Sequence, residues 1–85
     1  MKLIGWFGCL DTGAYHADGT AVVIAKDKEA AIAALEKYDE DARANDGYAS
    51  YWYGAPARRC KSEPVEIEIG RAKPQVVGVE AGCDC

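Results

Sequence analysis

Two cysteines stand one residue apart in Gly82-Cys83-Asp84-Cys85, the last four residues of the sequence. Thiolates at this spacing can clasp one soft metal ion, or one of them can pair with a distant cysteine. Cys9 and Cys60 bring the total to four. Cys9, Cys60, Cys83 and Cys85 together would make a thiolate zinc site, with His16 able to replace one of them. Structural zinc sites usually wrap the ion between C-x2–4-C pairs. Here there is one C-x-C and two isolated cysteines. No cofactor is therefore expected, and zinc is the metal these cysteines would take if they took one. Disulfide pairing is the other use, and four cysteines allow three complete connectivities.

His16 is the only histidine, set in a polar stretch near Asp11 and Asp18. Cys9 and His16 could in principle act as nucleophile and base. A cysteine in an apolar strand disfavours its thiolate, which argues against that chemistry. Gly5, Gly8 and Gly13 form neither a P-loop nor a dinucleotide fingerprint. An enzyme is therefore not expected.

Two surfaces have the composition of binding sites. Glu36, Asp39, Glu40 and Asp41 fall within six positions, and Arg58-Arg59-Cys60-Lys61 is a short basic knot. The segment Tyr48-Ala49-Ser50-Tyr51-Trp52-Tyr53 is dense in aromatics, the residue types of interface hot spots. Tyr51 and Tyr53 are expected to fill the core, and Tyr48 and Trp52 to be free for a partner. The chain has 85 residues and a net charge of −4. That charge works against binding nucleic acid or an anionic membrane and suits a basic protein partner. No stretch reaches the roughly 20 apolar residues of a spanning helix. A cytoplasmic location with reduced thiols is the expectation.

The elements that must position these residues follow from pattern. Residues 2–10 predict a strand, apolar on both faces and so central, with Leu3, Gly5, Phe7 and Cys9 on one side and Ile4, Trp6, Gly8 and Leu10 on the other. Asp11-Thr12-Gly13 and Asp18-Gly19 mark turns, with a short strand expected around residues 14–16. Residues 20–25 are β-branched at four of six positions and predict a second strand. Asp27 is a good N-cap and opens a helix over 27–44, with Ala31, Leu35, Tyr38, Ala42 and Ile32 as its buried stripe. Residues 48–53 predict an extended segment and 54–62 a loop. Val65-Glu66-Ile67-Glu68-Ile69 alternates strictly, which predicts a strand with Val65, Ile67 and Ile69 in the core and both glutamates in water. Residues 76–80 predict the last strand, and 81–85 a cysteine-containing tail.

This order, β-β-α-(β)-β-β, implies a single α+β domain over residues 1–85. A mainly antiparallel sheet of four to five strands carries one amphipathic helix on one face. The second face then needs a cover or a partner, with Trp6, Leu10 and the aromatics of 48–53 as candidates to line it. The functional expectation is a small acidic protein-binding module, an inhibitor or adaptor acting on a larger protein or nucleoprotein. It would address a basic partner surface through Glu36, Asp39, Glu40, Asp41, Tyr48 and Trp52. Pairing with a second copy is compatible with this reading. In size, acidity and lack of a catalytic pattern, the chain is similar in kind to small phage-encoded proteins that inhibit a host defence enzyme, the anti-CRISPR proteins among them. The alternative is a small metal-binding protein using the four cysteines. A cysteine-nucleophile enzyme ranks last.

Overall fold

The computed structural model of the protein describes residues 1–11, 18–46 and 53–80. β1 (Lys2–Leu10) and β2 (Gly19–Ala25) pair antiparallel, from Lys2 opposite Ala25 to Trp6 opposite Ala21. The register then slips before Leu10 meets Gly19. Gly8 lies in the slip at a φ of 63°, a left-handed conformation that glycine adopts without a Cβ clash. Its N–H donates to Thr20 Oγ1 at 2.8 Å, which replaces a ladder bond lost at the slip. β3 (Val65–Glu68) adds to the free side of β1, and β4 (Gln75–Glu80) to the free side of β2. The order is β3-β1-β2-β4 and every pairing is antiparallel. β1 is central, as its two apolar faces predict. Residues 69–74 carry the chain from one edge to the other, about 14 Å across three strand spacings.

α1 (Lys28–Asp46) starts where the cap predicts. Asp27 Oδ1 accepts from the Ala30 N–H at 2.8 Å, and Ala31 N–H makes the first helical bond to Asp27 O at 3.0 Å. The segment expected to be a loop contains a second helix, α2 (Gly54–Arg59). Pro56 falls in its first turn, where an N–H has no helical acceptor to lose. The Gly54 N–H donates instead to Asp39 Oδ2 at 2.9 Å, so the partner that anchors α2 lies fifteen residues upstream. Gly54 lies against the α1 backbone, where an added Cβ would sit 2.8 Å from Glu36 N. Only glycine lets the two helices approach so closely.

Both helices lie on one side of the sheet, α1 over β2 and β4 and α2 over β1. The core there joins Ile4, Trp6 and Leu10 to Ala21, Val23 and Ala25 of β2. Ala31, Ile32 and Leu35 of α1, with Tyr53 and Ala57, close it from above. Three expectations change. Trp6 and Leu10 do not line the second face; they are fully buried under the helices. Tyr38 leaves the helix stripe and is 41% exposed, while Asp39, read as outward, is buried at 8%. Val65, Ile67 and Ile69 do not enter the core: Val65 and Ile67 are each 51% exposed. Cross-strand partners point to the same side. Glu66 opposes Ile4 and shares the helix side, and Ile67 opposes Leu3 on the other. β3 is an edge strand beyond the reach of both helices, so its glutamates stay wet there and pair with the N-terminus. Lys2 Nζ lies 3.5 Å from Glu66, and the Met1 amine 3.2 Å from Glu68.

Of residues 48–53, Tyr53 alone is described; it is buried at the start of α2. Tyr53 is helical (φ −54°, ψ −37°), not extended as expected for 48–53; the rest of that segment, the strand expected at 14–16 and the 81–85 tail lie outside the described residues.

Candidate functional site

Three places gather chemistry-bearing residues. The first is the C-terminal half of α1. Its four clustered acids divide into two pairs. Asp39 serves the fold: it anchors Gly54, and burial raises its carboxyl above the ordinary value of 3.8 despite the amides of Gly54 and Tyr53 that bind it. Its Oδ1 is buried with no hydrogen-bond partner among the described residues. Asp39 is thereby removed from the outward acidic face. Glu36 is exposed and accepts from Arg58 Nη2, and Arg58 also reaches Glu29 at 3.4 Å, which ties α2 to α1. Glu40 and Asp41 remain exposed, with no ion pair to a described residue. A cleft of about 300 Å³ opens between the helices, lined by Glu36, Asp39, Glu40, Arg43 and Ala55.

The second is the cysteine pair. The fold brings Cys9, near the end of β1, to Cys60, just past α2, although 51 residues separate them in sequence. Cys60 Sγ donates to the Cys9 carbonyl at 3.7 Å. Burial pushes the Cys9 thiol above 9.0, and the neighbouring Cys60 pushes it further. That shift is the reverse of the lowering that activates a cysteine nucleophile. Both line a cleft of about 290 Å³ with Asp11, Arg59 and Lys61. Two of the four expected zinc ligands are thus neighbours. Cys83, Cys85 and His16 lie outside the described residues, and no group of three metal-ligating side chains forms among the described ones. Tyr48 and Trp52 also lie outside them.

The third is the side of the sheet away from the helices, expected to need a cover or a partner but lined by other residues than Trp6 and Leu10. Leu3, Val22, Ile24, Val65 and Ile67 share it by register, and Phe7 joins them through its ring, which lies on the Cβ side of Gly5, the partner of Val22 and Val65. Phe7 is 58% exposed, and its ring lies across Gly5 where a Cβ would otherwise stand. The signal was present in β1, apolar on both faces, in a chain with one long helix to cover one of them. No helix among the described residues is long and apolar enough to cross a membrane. Comparison with known proteins gives no match to a protein-family model, to a curated protein or to a solved structure.

Proposed function

We propose that this chain is a small protein-binding module, an inhibitor or adaptor that presents the C-terminal half of α1 to a basic surface on a larger protein. One observation carries the reading. Folding employs Asp39 and Glu36, but it leaves Glu40 and Asp41 exposed and unpaired among the described residues, near the negative end of the helix dipole. Acids there are mildly unfavourable for the helix, and a cationic partner reverses that cost. Its most concrete form is a phage-type inhibitor of a host defence enzyme, as anti-CRISPR proteins are; small size, acidity and the exposed carboxylates support it. The test is affinity capture from the source cell with wild type, with Glu40→Lys/Asp41→Lys and with Glu29→Lys. The double reversal should lose the partner, chiefly through slower association, and Glu29→Lys should keep it. Equal capture by all three at low salt would reduce the acidic edge to a solvated surface.

The adjacency of Cys9 and Cys60 favours a second reading, a small metal-binding protein completed by Cys83 and Cys85. Zinc titration monitored by thermal unfolding tests it: a one-to-one rise in melting temperature, reversed by chelator, supports it, and an unchanged transition removes it.

A further inference from the structure

We propose that two copies of this chain pair face to face through the sheet side that the helices leave open. This goes beyond the acidic-edge reading and does not depend on it.

The surface is flat and apolar. Phe7, Val65 and Ile67 each expose more than half of their area, 51–58%, and Val77, 55% exposed, lines a shallow cleft with Val22 and Gly78 of the same side. Leu3, Val22 and Ile24 fill the space between them and are only half-buried, because neighbours within the sheet shield their flanks. The Phe7 ring lies down over Gly5, so no side chain stands proud of the sheet at its centre. A ring held flat suits the roughly 10 Å separation of stacked sheets.

The charge distribution selects the occupant. Among strand residues paired in the ladder, the open side carries one ionised side chain, Glu80, opposite Thr20 at a corner. Lys2, Glu66 and Glu68 all fall on the helix side. A basic or acidic partner finds nothing to pair with on the open side. A second neutral, apolar sheet does, and the chain supplies one itself. A two-fold axis through the middle sets the same patch against itself with no like charges in contact, the isologous arrangement of most dimers.

The area suits a transient pair. Four strands about 4.8 Å apart, each about six residues long at roughly 3.3 Å per residue, present a face of about 19 by 20 Å. Two such faces cover about 760 Å² of flat area, and somewhat more of accessible surface because their side chains interdigitate, which places the pair among small, transient interfaces. That predicts a reversible dimer with a dissociation constant in the range of about 1–100 μM rather than an obligate one. An 85-residue chain also gains a second core layer this way, a common support for small domains.

The experiment is sedimentation equilibrium of the purified chain from about 5 μM to about 1 mM, with NMR amide and methyl shifts followed on dilution. Wild type should move from 9.1 kDa towards twice that mass as concentration rises. Dilution shifts should concentrate on Leu3, Phe7, Val22, Ile24 and Ile67. Raising salt should tighten the dimer slightly, because each copy carries −4. Salt should instead weaken an acidic-edge complex, so the two readings fail separately. Phe7→Asp and Ile67→Asp, checked for native circular dichroism, should each raise the dissociation constant at least tenfold. If either fails to fold, the wild-type dilution shifts decide alone. A strictly monomeric wild type at about 1 mM, or shifts confined to α1 or to the outer edges of β3 and β4, would overturn the proposal.

Discussion

The apolar residues on the two sides of one sheet are of the same kinds and meet opposite fates. On the helix side Ile4, Trp6, Ala21 and Val23 are fully buried; on the other, Leu3, Phe7, Val22, Ile24, Val65 and Ile67 range from half-buried to mostly exposed. Residue type does not separate them. The crossover between β2 and β3 does, because it lays both helices on the same side. Burial here depends on where the covering layer lands, and hydropathy sets only which residues could accept it.

The comparison breaks most sharply at Trp6. Its indole fills the centre of the covered side and is wholly buried. Trp6→Ala should cost about 3–5 kcal/mol, read by urea unfolding, and leave the chain at the edge of stability.

Asp39 comes next, because it holds α2 over β1. Asp39→Ala leaves the buried Gly54 N–H without its acceptor and should cost about 1–3 kcal/mol. Asp39→Asn keeps an acceptor and cannot ionise. Because the folded carboxyl is raised, the stability tied to its protonated form is complete below the ordinary value of 3.8 and is lost as pH rises through the raised value. Unfolding curves from about pH 3 to pH 7 should therefore show wild type losing ground to Asp39→Asn as pH increases. Parallel curves would mean that the carboxylate is better solvated than its burial implies.

Ile67 should give the smallest effect. Ile67→Ala at micromolar protein should cost less than about 1 kcal/mol, since half the side chain is already in water. Repeated near millimolar concentration, the cost should grow if the open side is covered by a second copy, because association stabilises the folded state by mass action. A cost of 2 kcal/mol or more in dilute solution, by the order of a fully buried aliphatic, would mean that this side has a cover within the chain.

Much of the scaffold was legible. Asp27 marked the start of α1, β-branched residues marked β2, and the apolar character of both faces of β1 placed it in the middle. What failed did so for reasons that are not local. Alternation in 65–69 shows which residues share a side but not which side lies under a helix, so an edge strand beyond the helices was assigned the wrong phase. Gly54 and Pro56 look like loop formers, and the acceptor that stabilises α2 is in another helix. Asp39 looked like surface charge until its partner amide, distant in sequence, took it inside. Of the candidate site, the outward position of Glu40 was readable from helical period, while Asp41 was grouped with it only as part of the acidic run. The open sheet side was visible only as an unpaid debt in β1.

The margins of the sheet limit how far such pairing can propagate. β3 is four residues long, entered from the buried Pro64 and followed by Gly70 at a φ of 76°. Glu68 folds back to accept from Gly70 N–H at 3.1 Å and from the N-terminal amine, which hold its carboxyl below the usual range. β4 follows Pro74 and carries an unmatched residue, Val77, where its register against β2 slips. Each margin is short, kinked or charged, and so offers a poor template for a further strand. Lateral growth into a fibre is thereby disfavoured while stacking is left open. Concentrating this protein should fill a closed pair and then stop, with no slow rise in light scattering and no thioflavin signal.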